Sequence, residues 1–357
     1  MITIEYIDET EDVYDITVED NHNFYANDIL VHNCSEISLV TSKERTAVCC
    51  LSSGNLEYYD DWKDNKQFLP DVLEMLDNVI QYFIDNAPDE IERARFSAYR
   101  ERSVGFGALG FHAYLQKNNI AFESAIAKSI NNKIFKHIRQ ELDMANEKLA
   151  HERGPCPDAL DAGVNRRLTH VMAIAPNASS SIIMGNTSPS IEPYAANAYR
   201  QDTSSGAFIT KNKFLDAIIK KQAASQNEAW YDDTWASIIA NDGSVQHLEW
   251  LDEQSKWVFK TAAEIDQRWV IEHASDRQHY IDQAQSVNLF FRPDANVKYL
   301  HAVHYMAWTG KLKSLYYCRS SKLRKADKVG QRIERQRIEE EIDMREVADG
   351  STCLACE

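Results

Sequence analysis

A His-Asn-Cys step at residues 32–34 divides this chain into two parts of different composition. Residues 1–33 carry nine acidic side chains and neither lysine nor arginine, whereas residues 34–357 carry 46 acidic side chains against 39 basic ones. A change of this kind indicates a domain boundary. It predicts a small N-terminal unit followed by a unit large enough to bury its own hydrophobic core.

The composition of the whole chain excludes several classes of protein. With 357 residues, 44% of them hydrophobic, and a net charge of −16, it has the make-up of an ordinary globular protein. The negative charge argues against a general nucleic-acid binder, because phosphate contacts need clustered lysine and arginine. No apolar run approaches the length of a membrane helix, and the start lacks a basic signal region. We therefore expect a cytoplasmic protein with no membrane partner and no direct nucleic-acid partner.

The residues around the boundary can perform a self-cleavage reaction. The side-chain amide of Asn33 can attack its own carbonyl carbon and cleave the following peptide bond. His32 can polarise that carbonyl by hydrogen bonding, and the thiol of Cys34 can hold an acyl group that arrives from another segment. Upstream, residues 13–18 and 29–31 have strand patterns, and residues 19–21 form a predicted turn.

Together with His22, these residues resemble the C-terminal fragment of a split intein. The resemblance implies that Asn33 cyclises with help from His32, that His22 supports the earlier steps, and that Cys34 is the first residue of the spliced product. Asp15 falls on a position linked to coordination of the steps. The implied partner is an upstream half that carries the N-terminal intein fragment. In the alternative interpretation, His32 and Asn33 only end a strand and a turn of an acidic domain.

Apolar periodicity predicts helices over residues 70–150, where two stripes recur at helical spacing. Their members are Val72, Leu73, Leu76, Val79, Ile80 and Phe83 in one stripe, and Ile138, Leu142, Ala145 and Leu149 in the other. The remaining predicted elements are a buried strand at 171–174, a polar loop at 176–181, helices from about 210 to 275, a strand near 312–317, and a charged solvated helix or mobile tail at 322–349.

Seven cysteines without a secretory signal indicate thiol chemistry rather than a disulfide framework. Cys34 and Glu36 are two residues apart, which puts a thiol and a carboxylate on one side of an extended segment. Cys353 and Cys356 form a Cys-x-x-Cys pair that can cycle between dithiol and disulfide. Half of a zinc site is the alternative for this pair, although no second ligand pair stands near it. Two isolated cysteines are predicted to be packing residues: Cys156 and Cys318.

A tyrosine pair and a polar loop are informative when they are considered together with the thiols. Adjacent tyrosines such as Tyr316 and Tyr317 are usually core or interface residues. Combined with isolated thiols, they indicate stepwise one-electron transfer between neighbouring rings. The loop at 176–181 offers hydroxyls and backbone N–H groups to an anion, especially if a helix begins at Ser180 or Ser181. A helix N-cap with surplus serines is the alternative for this loop.

With these motifs in order, residues 34–357 resemble the C-terminal half of the large subunit of a class I ribonucleotide reductase, of the T4-like bacteriophage type. The matching pieces are residues 34–37, 47–52, 102–107, 176–181, 190–194, 315–317 and the terminal cysteine pair. The implied fold class is α/β. Residues 34–321 would form the C-terminal half of a ten-stranded α/β barrel, preceded by a small all-β intein fragment at 1–33 and followed by a mobile redox tail at 322–357.

The resemblance implies that ribonucleoside diphosphates are reduced to deoxyribonucleoside diphosphates by thiyl-radical chemistry. Cys34 would carry the thiyl radical that abstracts the 3′-hydrogen, and Glu36 would be the base at the 3′-hydroxyl. Cys49 would be one member of the pair oxidised to a disulfide in each turnover, since the resemblance favours it over its neighbour Cys50. Tyr316 and Tyr317 would relay the radical, and Cys353 and Cys356 would re-reduce the active site. The implied diphosphate-binding residues are Asn177, Ala178, Ser179, Ser180 and Ser181.

The resemblance also implies partners. A diiron-tyrosyl small subunit would supply the radical, and thioredoxin or glutaredoxin would reduce the tail. The upstream half would hold the dNTP and ATP effector sites and the second reducing cysteine, and no metal or cofactor is expected on this chain itself. A phage-encoded enzyme would act in the cytoplasm of its bacterial host. The alternatives are an unspliced fragment that docks non-covalently with the upstream half, or a fragment of a cobalamin-dependent reductase.

One glycine pattern imitates a different family. Residues 105–110 match the Gly-x-Gly-x-x-Gly fingerprint of dinucleotide-binding folds. However, residues 94–102 before it are charged rather than a buried strand, and the first acid after it, Glu123, comes too early. The resemblance to the reductase implies instead that these glycines allow close packing within the barrel.

Overall fold

The computed structural model describes residues 23–26, 29–32, 35–203, 206–227 and 229–320. The α-helices of this part are α1 Tyr59–Trp62, α2 Phe68–Asn86, α3 Glu92–Glu101, α4 Phe111–Lys117, α5 Ala125–Arg153, α6 Pro157–Asp161, α7 Ala178–Ile183, α8 Lys213–Ala223, α9 Trp230–Ala240, α10 Glu253–Val258, α11 Gln267–Gln278 and α12 Val297–Thr309. The strands are β1 Asn23–Ala26, β2 Ile29–His32, β3 Cys50–Asn55, β4 Val104–Leu109, β5 Ala198–Thr203, β6 Gly206–Lys211, β7 Leu289–Phe291 and β8 Cys318–Ser320.

Five extended segments lie side by side in parallel at the centre of the fold. β3 pairs with β4 along the whole length of both strands. β4 then bridges to the segment 171–174 through Phe106 and Met172, and this segment bridges to the next through Ile174 and Gln285. β7, which continues that fourth segment, is parallel to β8. Parallel neighbours need crossover connections, and helices provide them here, so the predicted α/β fold class is confirmed.

Two glycines of β4 let the neighbouring segments approach closely. A Cβ atom at Gly105 would overlap Leu51 Cδ2, and one at Gly107 would lie 2.6 Å from the carbonyl oxygen of Ala173. All residues of β4 are buried. The charged residues before it form α3. The glycines therefore lie inside a packed strand and do not form the turn of a dinucleotide-binding loop.

Helices α2 and α5 cover the parallel segments, and their apolar stripes explain how. The four predicted residues of α5 are all buried, and so are Leu73, Leu76 and Ile80 of α2. The prediction was wrong at Val79, which is 46% exposed on the outer face of α2. Helix α5 begins where Ser124 Oγ accepts a hydrogen bond from Ala127 N at 3.1 Å. It ends at Gly154, whose φ of 82° suits a residue without a side chain.

A second hydrophobic cluster lies beside the parallel segments. It consists of the antiparallel hairpin β5–β6 and helices α8, α9 and α10, packed around Leu215, Trp235 and Val258. These helices and α11 confirm the helical prediction for residues 210–275. Across the described ranges, no helix combines the length and the apolar character that crossing a membrane requires.

Other predictions from the sequence had mixed outcomes. The strand expected at 29–31 is confirmed within β2, which pairs antiparallel with β1. The strand expected near 312–317 is wrong in position, since the ladder with β7 begins only at Cys318. Cys156 is packed as expected, whereas Cys318 is exposed on β8, so its prediction was wrong. The strand at 13–18, the turn at 19–21 and the tail at 322–349 lie outside the described residues.

Candidate functional site

The carboxylate of Glu36 is held in the interior by the fourth parallel segment. Glu36 is 1% exposed, and Ser286 Oγ donates a hydrogen bond to Glu36 Oε2 at 2.5 Å. The backbone N–H of Ala284 donates to the carbonyl oxygen of Glu36 at 2.9 Å. Ser35 adds a contact of 3.3 Å between its hydroxyl and that of Ser286. The segment that follows Cys34 is thus fixed to residues 284–286, while Cys34 itself lies outside the described residues.

The thiol of Cys49 lies beside the same segment. Gln283 Nε2 donates a hydrogen bond to Cys49 Sγ at 3.2 Å. Burial raises the pKa of Cys49 to about 12, and the charge of Glu36 contributes in the same direction. Successive side chains of an extended segment point to opposite sides. Accordingly, the side chain of Cys50 packs against the hydrophobic core, and Cys49 is the thiol next to Gln283.

Tyr316 and Tyr317 form a contacting pair of phenols. Their ring centroids are 3.9 Å apart, and the Tyr316 hydroxyl donates to the Tyr317 hydroxyl at 3.0 Å. The backbone N–H of Tyr316 donates to Val287 O at 2.9 Å, and that of Tyr317 donates to Asn288 Oδ1 at 3.1 Å. The guanidinium of Arg319 lies over the Tyr317 ring, 5.3 Å from its centroid. The backbone of both tyrosines is therefore bonded to the continuation of the segment that holds Glu36.

The loop at 176–181 leaves the carboxyl end of the third parallel segment. Asn177 has the left-handed φ of 54°, and its Nδ2 donates to Ser53 Oγ and to Ala175 O, each at 3.0 Å. Helix α7 begins at Ala178, two to three residues before the start at Ser180 or Ser181 considered in the sequence analysis. Ser181 is buried, and its hydroxyl donates to Ala178 O at 2.6 Å. Ala178 and Ser180 are exposed at the start of the helix.

Sequence reasoning missed the segment 282–288, which contacts Cys49, Glu36 and the tyrosine pair of this site. Gln283 contacts Cys49, Ser286 contacts Glu36, and Asn288 contacts the backbone of Tyr317. The one signal available was a run of polar residues inside an otherwise apolar stretch, because buried polar side chains need hydrogen-bond partners.

Sequence reasoning also gave no role to Glu192. Asn288 Nδ2 donates to Glu192 Oε1 at 3.2 Å. Within the described ranges, the buried Glu192 Oε2 has no hydrogen-bond partner. Burial raises the pKa of Glu192 to about 7. A carboxyl group in this setting binds its proton more tightly than one in water.

The remaining predicted site residues are outside this arrangement. His22, Asn33, Cys34 and the pair Cys353 and Cys356 lie outside the described residues, and only the backbone of His32 is described, at the end of β2. No cluster of three or more histidine, cysteine, aspartate or glutamate side chains that could hold a metal ion occurs in the described ranges.

The described residues bring three chemical functions to one extended segment. A buried carboxylate can take up or release a proton. A thiol can be oxidised to a disulfide if a second thiol approaches. Two phenols with touching hydroxyls can exchange a hydrogen atom over a short distance. Their common neighbour is the segment 282–288.

Comparison with known proteins gives consistent matches. A family model described as "Ribonucleotide reductase, barrel domain" matches residues 13–162 and 159–318. The "Ribonucleoside-diphosphate reductase large subunit" of Invertebrate iridescent virus 6 is 53% identical over 321 residues, which cover 89% of this chain and 33% of that protein. The protein of the same description from Invertebrate iridescent virus 3 is 52% identical and covers 83% of this chain and 46% of that protein.

A solved structure is also similar. It is described as "Actinobacillus ureae class Id ribonucleotide reductase alpha subunit" and superposes with a TM-score of 0.73 at 41% sequence identity. The match covers 80% of this chain and 52% of that one. The chain thus spans about a third to a half of the length of the relatives that it matches.

Proposed function

The chain belongs to the ribonucleotide reductase family and matches the C-terminal half of its barrel domain, and we propose that it supplies part of the active site of a ribonucleoside-diphosphate reductase large subunit. Completed by an upstream half, it would reduce ribonucleoside diphosphates to deoxyribonucleoside diphosphates by thiyl-radical chemistry. The observation that carries this proposal is the contact of one segment, 282–288, with Glu36, Cys49 and the tyrosine pair.

In the proposed reaction, the roles of the groups follow the order of Cys34, Glu36 and Cys49 along the chain. Cys34 would carry the radical two residues before Glu36, the base at the 3′-hydroxyl. Ser286 is the hydrogen-bond donor that orients the Glu36 carboxylate. Replacement of the 2′-hydroxyl with hydrogen requires two electrons. Cys49 would give one of them, and a cysteine of the upstream half would give the other.

The phosphate end of the substrate would lie at the loop 176–181. Asn177 holds this loop to β3 through Ser53 Oγ, and the exposed residues Ala178 and Ser180 leave the helix start accessible. Ser179 would add a hydroxyl, and the hydroxyl of Ser181 is bonded within α7. We therefore assign the diphosphate to the backbone N–H groups and hydroxyls of Asn177 to Ser180, with Ser181 as a support.

The radical would enter through Tyr317 and Tyr316 from a small subunit with a diiron-tyrosyl centre. Tail residues Cys353 and Cys356 would return electrons from thioredoxin or glutaredoxin to Cys49, and the effector sites would be on the upstream half. Origin in a T4-like phage and action in the cytoplasm of its host stay predictions.

A cobalamin-dependent reductase is the alternative. Tyr317→Phe should abolish turnover that depends on the small subunit, whereas unchanged turnover with cobalamin would favour this alternative.

The proposed reaction can be tested on the assembled enzyme. The chain, the upstream half and a small subunit are combined, and the formation of deoxyribonucleoside diphosphate is measured. We expect Glu36→Gln to abolish product formation, and Glu253→Gln, at an exposed residue of α10, to leave it unchanged. Equal turnover by the Glu36→Gln enzyme would refute the proposed role of this segment.

We also propose that residues 1–33 are a splicing fragment, with Asn33, His32 and His22 in the roles described above and Cys34 as the ligated residue. The support is the order of these residues in the sequence. The intact mass of the large subunit after co-expression with the upstream half tests it. A peptide that joins the upstream half directly to Cys34 is expected, and Asn33→Ala should prevent its formation.

Non-covalent docking of the unspliced chain is the second candidate. The family match begins at residue 13, inside the proposed splicing fragment, and this favours retention of residues 13–33 in the mature protein. Full reductase activity with residues 1–33 still attached to Cys34 would support docking and contradict splicing.

A further inference from the structure

Gln283 links three segments of the site through one side chain. It is completely buried, and its Oε1 accepts a hydrogen bond from Ser38 N at 3.3 Å. Its Nε2 donates to Val104 O at 3.0 Å and to Cys49 Sγ at 3.2 Å. A backbone N–H can only donate and a carbonyl oxygen can only accept, so these two partners fix which end of the amide is nitrogen. The second N–H of Gln283 is thereby directed at the sulfur of Cys49.

The other groups around Cys49 oppose its ionisation. Burial raises the pKa of the Cys49 thiol most, and the neighbouring Cys50, Glu36 and Asp282 raise it further. Asp282 is fixed in place by Arg139 and by the backbone N–H groups of Val171 and Met172. The hydrogen bond from Gln283 acts in the opposite direction and lowers the pKa of Cys49, because a donor aimed at sulfur favours the charged form.

We propose that Gln283 is a positioning residue for the redox thiol: it holds the sulfur of Cys49 toward the Glu36 segment and favours its thiolate form. This inference rests on the proposed function in that Cys49 exchanges electrons with an external dithiol. In that exchange, a thiolate of the dithiol attacks one sulfur of the disulfide, and the S–S bond breaks. The other sulfur leaves with the electron pair.

The second thiol of the dithiol then displaces the remaining sulfur, so two electrons and two protons pass to the active-site pair in total. A donor at Cys49 lowers the cost of its departure as a thiolate. The contact with Ser38 N adds a geometric role, because through Gln283 it connects Cys49 to the segment that carries Glu36.

The rate of alkylation of Cys49 tests this role in the full chain alone. All variants carry Cys50→Ala, so that Cys49 is the one thiol left of the adjacent pair. Gln283→Met removes the donor, and Gln283→Glu keeps the shape and the acceptor for Ser38 but replaces the donor with a carboxylate. The matched control is Gln285→Met, because Gln285 is buried on the same segment and bonded to Arg277 and Ala274 but not to Cys49. Iodoacetamide labelling between pH 7.5 and 9.5 is followed by peptide mass spectrometry.

We expect Gln283→Met to slow labelling of Cys49 about threefold or more at each pH. A rise of one unit in pKa removes about nine-tenths of the thiolate, and the higher nucleophilicity of a more basic thiolate offsets part of this loss. Gln283→Glu should slow labelling further, and it carries the test alone if the methionine variant does not fold. Gln285→Met should change the rate less than about twofold.

The sign of the effect separates this role from damage to the fold. Loosened packing would expose Cys49 and accelerate its labelling. Unchanged or faster labelling in both Gln283 variants, or an equal slowing in Gln285→Met, would overturn the inference. Because labelling needs no catalysis, failure of the reductase proposal would be seen separately as absence of deoxyribonucleotide formation.

Discussion

The carboxylate of Asp77 on α2 should be one of the most costly side chains to remove. It is 0% exposed and is shared by three guanidinium groups. Arg102 Nε donates to Asp77 Oδ1 at 2.7 Å, Arg153 Nη1 donates to Oδ2 at 2.8 Å, and Arg167 Nε donates to Oδ1 at 3.1 Å. Of the three arginines, Arg102 is the most deeply buried, with 3% of its surface exposed. Burial lowers the pKa of Arg102, and Asp77 offsets this effect.

The size of the loss follows from what each arginine retains. In Asp77→Ala, Arg153 keeps its ion pair with Glu74, and Arg167 keeps the carbonyl oxygens of Arg153 and Gly154. Arg102 keeps Gln81 and one backbone carbonyl but no counter-charge. Leaving such a charge buried costs about 3–5 kcal/mol of the free energy of unfolding. Asp77→Asn keeps an acceptor oxygen, and should cost about 1.5–3 kcal/mol.

Urea unfolding followed by circular dichroism measures this loss. The control is Asp71→Ala on the same helix, an exposed residue whose removal should change the free energy of unfolding by less than about 0.5 kcal/mol. If the unpaired guanidinium is the cause, Asp77→Ala with Arg102→Met should recover part of the stability. A loss below about 1 kcal/mol in Asp77→Ala, or no recovery in the double variant, would refute this reasoning.

Three further substitutions give measurable changes in stability. Burial raises the pKa of Glu192 to about 7. The folded chain therefore binds this proton more tightly than the unfolded chain, and stability should fall as pH rises from about 4.5 through 7. Glu192→Gln should remove up to about 3 kcal/mol of this pH dependence, as pH-dependent thermal unfolding would show; an unchanged pH profile would contradict it. Gly107→Ala should cost about 1–3 kcal/mol in urea unfolding, because its Cβ would meet the Ala173 carbonyl. A neutral effect would mean that β4 can move away. Asn212 caps α8 and also donates to Gln116 and Asn197. Asn212→Ala should therefore cost more than Asn296→Ala, the cap of α12, which should cost about 1 kcal/mol; equal losses would contradict this.

Local patterns in the sequence predicted the elements whose form depends on local rules. The stripe of α5 is regular because the whole of one helix face meets the core, and Ser124 marks its start. The glycines of β4 were correctly separated from a dinucleotide-binding loop by the charged residues before them. The predicted burial of Val79 and Cys318 was wrong because apolar and sulfur-containing side chains also occur on surfaces. The sequence pattern does not show whether another element packs over either side chain.

The centre of the candidate site could not be predicted from spacing. Gln283 lies 234 residues from Cys49 along the chain, and Ser286 lies 250 residues from Glu36. Contacts over such separations are set by the order of the parallel segments, which periodicity does not specify. A polar residue in an apolar stretch indicates that a partner exists but not which one.

The oxidation of Cys49 in a single turnover tests the central claim most directly. The assembled, pre-reduced enzyme carries Cys353→Ser and Cys356→Ser, so that the tail cannot restore the active-site thiols. After reaction with a ribonucleoside diphosphate, the remaining free thiols are alkylated and identified by mass spectrometry. We predict that Cys49 becomes protected in a disulfide with the upstream half in proportion to the deoxyribonucleotide formed, while Cys50, Cys156 and Cys318 stay free. Product formation with Cys49 still free, or with Cys50 protected in its place, would contradict the account.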